Sequence, residues 1–177
     1  MIKRFKYLFI GVCGVLGLVC ILPYVFTTNP VHFSKSIELS IDDFDSQQFV
    51  SNLPGWEKWA WPWSEFQEVD IFWYDDTKGE YAGFFWDNGT QDGVLEAVRS
   101  NELNVLKYTV RIGVKETRRF SFRFDPKTDS TSTVIVEEFM PVGNWPWQRY
   151  ATWVSASENQ NEFNRRLEKL RETAAGR

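Results

Sequence analysis

Cysteine and histidine are nearly absent: 177 residues hold two cysteines and one histidine. A Cys/His zinc site needs three or four such ligands, and a nucleophile–His–carboxylate triad needs a well-placed imidazole; only His32 could supply one. No glycine-rich loop stands ready to cradle a phosphate, no Gly/Ser linker divides the chain, and no repeat of 20–50 residues recurs. Positive charge is not in excess either. Twenty Lys+Arg against 24 Asp+Glu leave a net charge of −4, which argues against a nucleic-acid partner. What abounds is aromatic: 17% of the chain, including nine Trp and fifteen Phe, within 43% hydrophobic residues. That composition excludes disorder and supplies a core. The length suits one domain.

The N-terminus reads as an anchor. Lys3, Arg4 and Lys6 precede an uncharged run over residues 7–26, and twenty helical residues span about 30 Å, one bilayer core. A cleaved signal peptide is the alternative. Its apolar region is shorter, however, and ends at a small-x-small site, for which Phe26-Thr27-Thr28 is a poor substitute. Three cations before the run, and none after it until Lys35, keep the N-terminus cytoplasmic. The expectation is therefore a single-pass protein of the bacterial inner membrane with residues 1–28 as the anchor and residues 29–177 as a periplasmic domain. That domain carries 17 Lys+Arg against 24 Asp+Glu, net −7, so it has little electrostatic attraction to anionic lipid.

Beyond the anchor, residues 32–41 alternate apolar and polar, as a strand does. Asp42 and Asp43 can cap a short helix through Leu53, with Phe44, Phe49, Val50 and Leu53 on its apolar side. Six segments of period-2 character follow, near 65–75, 79–87, 91–99, 104–114, 116–125 and 131–140, separated by turn-forming residues such as Asn88-Gly89. The clearest alternation sets Arg118, Phe120, Phe122 and Phe124 against Arg119, Ser121, Arg123 and Asp125. Close spacing favours antiparallel hairpins. Trp153, Ala156, Gln160, Phe163, Leu167, Leu170 and Ala174 then recur at steps of three and four, the stripe of one long amphipathic helix, with Arg165, Arg166 and Arg171 on other faces. The class is α+β.

Four features together resemble the START-like helix-grip superfamily, in particular membrane-anchored bacterial members of the polyketide cyclase (SRPBCC) type: the strand Val31-x-x-Ser34-x-x-Ile37, the run of Trp56, Trp59, Trp61 and Trp63, Trp86 near the end of the third strand, and the closing helix with Phe163, Leu167 and Leu170. The resemblance covers about residues 31–173. It implies a seven-stranded antiparallel sheet wrapped around a long C-terminal helix, with an apolar cavity between them for lipids, sterols, polyketides or other hydrophobic molecules. Fold alone does not assign an activity. Two Trp-Pro-Trp triplets, 61–63 and 145–147, make this chain more aromatic than that pattern.

Candidate ligand-binding residues are Trp61, Trp86, Phe120, Phe122, Gln160 and Phe163; no catalytic residue, metal or cofactor is expected. Trp56, Trp59 and Trp63 suit core packing of the short helix as well as a ligand wall. A membrane-interface role for Trp145 and Trp147 is disfavoured by their distance in sequence from the anchor, more than a hundred residues. Gln160 interrupts an apolar stripe, where a buried amide needs a partner. Tyr74, Tyr81, Glu96, Tyr108, Arg111 and Glu137 are further cavity candidates, though a solvated face is the first explanation for each. His32 reads as an exposed structural residue, and Asp42, Asp43 and Asp45 as acids at a helix N-terminus. The expected function is a membrane-tethered binding protein for a hydrophobic or amphipathic small molecule. The alternatives are an interaction module of the cell envelope with a closed cavity, and a cyclase- or hydrolase-type enzyme.

Overall fold

The structure, a computed structural model, describes residues 2–26, 31–60, 69–79, 81–87, 89–90, 92–113, 115–128 and 130–176, with backbone alone at 2–6, 8, 23, 26, 116, 126 and 128. Four α-helices and seven strands follow in the order α1 (Ile2–Phe26), β1 (Val31–Leu39), α2 (Asp43–Ser51), a 3-10 turn (Leu53–Lys58), β2 (Asp70–Trp73), β3 (Gly83–Asp87), β4 (Asp92–Val98), β5 (Val105–Ile112), β6 (Lys115–Thr128), β7 (Thr131–Met140), α3 (Pro146–Val154) and α4 (Ala156–Ala175). The strands form one antiparallel sheet of order β1-β7-β6-β5-β4-β3-β2. Consecutive hairpins build β2 to β7, and β1 closes the other edge through its pairing with β7, from Val31↔Met140 to Leu39↔Ser132.

Residue type decides which face of the sheet turns inward. In β6, Phe120, Phe122 and Phe124 are buried while Arg123 and Asp125 face solvent, as alternation demands; Ser121, expected with the latter, is buried. Its neighbour β7 buries Ser132, Val134, Val136 and Glu138 in strict alternation. The inner face is covered by α2, the 3-10 turn and α4. Asp42 caps α2, its carboxylate accepting from the Asp45 backbone N–H at 2.8 Å. Phe49, Val50 and Leu53 are buried, but Phe44, expected on the same side, is exposed. Trp56 locks the turn by donating its Nε1–H to the Val50 carbonyl at 2.7 Å.

The C-terminal stripe does not belong to one helix. Pro146 opens α3, and Ser155 separates it from α4. Proline favours the first helical turn because its missing N–H has no partner there anyway. Phe163, Leu167, Leu170 and Ala174 of α4 are buried, whereas Trp153, in α3, is exposed. Arg166, expected on an outer face, is buried beside them.

At the other end of the chain, α1 is helical for 25 residues, and every described side chain in it is exposed. Among the described residues no helix is long and apolar enough to cross a membrane. The end of α1 touches the segment before α3: the Tyr24 hydroxyl donates to the Asn144 carbonyl.

Candidate functional site

The inner aromatic face of β6, the 3-10 turn and α4 meet at a small cavity. Trp56, Trp59 and Ala60 wall one side, Phe120, Phe122 and Val136 the sheet side, and Phe163, Arg166 and Leu167 the helix side. The rings interlock at edge-to-face angles: Trp56 lies 6.1 Å from Phe120 at 88°, and Trp59 lies 6.1 Å from Phe122 at 85°, the arrangement that aligns positive ring edges with negative faces. The cavity holds about 10 Å³, the space of a single water at most. The described residues thus nearly fill the grip with their own aromatics.

A buried charge cluster borders this apolar wall. Glu138 is fully buried on β7, opposite Phe120 of β6 and Phe33 of β1. One carboxylate oxygen accepts from Arg118 Nη1 and the other from Arg166 Nη2, each at 2.8 Å. A carboxylate in an apolar interior is tolerable only when paired and hydrogen-bonded, and here both oxygens are taken. Arg166 lies over the Phe120 ring at 5.8 Å. Burial pushes its guanidinium below the usual range, while Glu138 pulls it back up.

Two donors at the cavity have no acceptor among the described residues: Trp59 Nε1 and Arg166 Nε, both buried. The Glu162 carboxylate lies 3.8 Å from Arg166 Nε, beyond hydrogen-bonding distance. Buried polar groups are nearly always satisfied, so two unsatisfied N–H groups on residues that line one small space are a specific feature. Acceptor groups are what they lack.

The structure brings Phe120, Phe122 and Phe163 together at this cavity. Gln160 is half-buried one turn earlier on α4 and is not part of the lining. Trp86 sits on β3, three strands from β6, about 14 Å away at sheet spacing. Its ring packs across Gly93, where a Cβ would lie 2.1 Å from Trp86 Cζ2. Trp61 and Trp63 lie outside the described residues. Trp56 and Trp59 are core residues and cavity wall at once.

The other polar candidates lie apart from the cavity. Tyr74 donates to Glu96 at 3.0 Å, and Arg111 pairs with the other oxygen of Glu96, making a partly exposed cluster across β4 and β5 in which burial and the Glu96 carboxylate raise the Tyr74 pKa. His32 stacks on Phe139 at 4.4 Å and lies 3.3 Å from Glu137. Tyr81 is exposed. Tyr108 is fully buried against Trp56, its hydroxyl without a partner among the described residues, and burial raises its pKa.

Sequence reasoning missed Glu138 and Arg166, and it placed Arg118 on the aromatic face of its strand without giving it a role. The signal was there for Glu138: it shares the alternation phase of Val134 and Val136, the inward face. Arg166 gave none, because a charged residue between Phe163 and Leu167 reads by default as a flank of the stripe.

No family model matches the chain, and no curated protein matches it. Solved structures do. A START superfamily protein from Mycobacterium smegmatis superposes with a TM-score of 0.51 at 14% identity, over 80% of this chain and 97% of that one. A Thermobifida fusca protein solved by NMR gives 0.54 at 18% identity, over 81% and 92%. DynU16, encoded in the dynemicin biosynthetic locus, gives 0.51 at 10% identity, over 80% of this chain and 46% of its own. At these identities the likeness concerns the fold alone, and it is the START-like helix grip.

Proposed function

We propose that the protein is a membrane-tethered binding domain that holds a hydrophobic or amphipathic, lipid-like small molecule between the sheet and α4. The observation that carries this reading is the pair of unsatisfied donors, Trp59 Nε1–H and Arg166 Nε–H, at an otherwise apolar wall. An apolar body with an acceptor head, such as a carboxylate or carbonyl, complements both features. At about 10 Å³ the cavity is too small for such a molecule, so occupancy displaces lining side chains. Trp59 is the one to move. Trp56 is held by its hydrogen bond to Val50, whereas the Trp59 indole has no acceptor to break from among the described residues. Proton transfer has little support here, because both oxygens of Glu138 are engaged by guanidinium groups.

Tethering rests on the uncharged run over residues 7–26, on the helical backbone of Ile2–Phe26 and on the exposure of every described α1 side chain. Twenty apolar helical residues span about 30 Å, and the cations at positions 3, 4 and 6 hold the N-terminus in the cytoplasm, leaving the domain on the periplasmic side. The full chain should resist alkaline carbonate extraction, and its C-terminal domain should be digested by protease only from the periplasmic side.

The binding test is native mass spectrometry of the full chain in mild detergent, with organic extraction and titration by C16–C18 fatty acids. A molecule that co-purifies reproducibly, with affinity about tenfold weaker in Trp59→Phe because one hydrogen bond is lost, supports the reading. A folded chain that carries nothing and shows no saturable binding of fatty acids, phospholipids or sterols sinks it. That outcome would favour the second reading, an envelope interaction module, for which the nearly filled cavity is the specific observation.

A further inference from the structure

Helix α3 is built inside out. None of its nine residues is buried. At 100° per residue, Trp153, Tyr150, Val154, Trp147 and Ala151 fall within an arc of roughly 160°, and all five are exposed. Trp145, the N-cap, adds another ring that is 73% exposed. Arg149 and Thr152, on the polar side, are half-buried, as is Pro146 at the helix start. In water such a helix should rotate its aromatic face inward, as α4 does.

Its position supplies the reason. Tyr24, two residues before the end of α1, donates its hydroxyl to the carbonyl of Asn144, and Arg149 places its guanidinium 4.3 Å from the centre of the Tyr24 ring. A separation of 120 residues along the chain is thus a direct contact in space. The start of α3 stands level with the point where the anchor of the proposed function leaves the bilayer.

We propose that α3 lies in the headgroup–acyl boundary of the periplasmic leaflet, with Trp145, Trp147, Tyr150, Trp153 and Val154 seated against lipid. The inference rests on the anchoring reading. Trp and Tyr concentrate at that depth because their rings are apolar and their N–H or O–H is polar. Arg149 is the one basic residue in α3, and it faces Tyr24, so attachment is apolar rather than electrostatic. Two attachments, α1 and α3, then fix the orientation of the grip on the membrane where one would leave it free to rotate.

The experiment uses the full chain in phosphatidylcholine vesicles carrying lipids brominated near the headgroup end of the acyl chain. All nine tryptophans lie outside α1, so quenching reports on the domain and flotation reports on the anchor. We expect Trp fluorescence to be quenched about twofold more strongly in the wild type than in the Trp145→Ser/Trp147→Ser/Trp153→Ser variant, unchanged by 1 M salt or by added anionic lipid. Trp147→Ser alone serves if the triple variant misfolds, with a smaller loss in the same direction. A chain that floats but is quenched equally in wild type and variant keeps the anchor and overturns the seating of α3. A chain that does not float defeats the anchoring reading and this inference with it. Variants that lose self-association with no change in quenching assign the aromatic face to a second copy, and also overturn it.

Discussion

Helices α3 and α4 are neighbours in sequence, separated by one residue, and they obey opposite rules. In α4 the apolar positions Phe163, Leu167, Leu170 and Ala174 are buried against the sheet, and the charged positions Arg165, Glu168 and Arg171 face water. In α3 the aromatic positions face outward and no residue is buried. Both segments have the periodicity of an amphipathic helix. Periodicity reports that a helix has an apolar face; it does not say which partner covers it. For α4 the partner is the sheet of the same chain, and for α3 the main neighbour among the described residues is the end of α1.

The contrast can be broken most forcefully at the charge cluster that α4 brings to the sheet. Glu138→Ala leaves Arg118 and Arg166 without their shared carboxylate in a buried setting, and should cost about 3–5 kcal/mol in urea unfolding of the full chain in mild detergent. A loss below about 1 kcal/mol would mean that the cluster is hydrated and behaves as a surface pair. A direct comparison comes next. Leu170→Ala, at a position with no exposure, should cost about 2–5 kcal/mol, while Trp147→Ala, at 68% exposure, should stay within about 0.5 kcal/mol in detergent. Equal costs would show that α3 carries folding energy and end the distinction between the two helices.

The smallest expected effect has the opposite sign. Tyr108→Phe removes a buried hydroxyl that has no partner among the described residues and should stabilise the chain by about 1 kcal/mol. The same side chain gives a pH test. Its folded-state pKa is raised above the ordinary 10.0 by burial, so its contribution is fully present below pH 10 and is lost as the pH climbs above that value, where only the unfolded chain releases the proton. The wild type should lose stability above pH 10 more steeply than Tyr108→Phe, and parallel slopes would place the hydroxyl in contact with water.

The strands were legible because their alternation is local: Phe120, Phe122 and Phe124 announce one face, and the turn residues mark its ends. The cap at Asp42 and the stripe from Phe163 to Ala174 were legible for the same reason. Trp56 and Trp59 were recognisable as core. Gln160 and Trp86 show the limit. Both lie on elements that were correctly anticipated, yet one is half-buried beside the cavity and the other is three strands away, because sheet order and helix rotation decide which side chains converge. The break at Ser155 escaped because the steps of three and four run on through it from Trp153 to Ala156.

Taken alone, the sequence determined the α+β class, the order of the strands, the inward face of β6 and the apolar N-terminal helix. Those properties depend on neighbours within a few residues, where period and capping act. Tertiary structure decided the rest: that Glu138 holds both Arg118 and Arg166, that Trp56, Trp59 and the phenylalanines leave only a small cavity among the described residues where they meet, and that Tyr24 meets Asn144 and Arg149 across the chain. Each of those contacts joins residues whose local patterns are independent, so only the closing of the sheet and the packing of helices against it could bring them together.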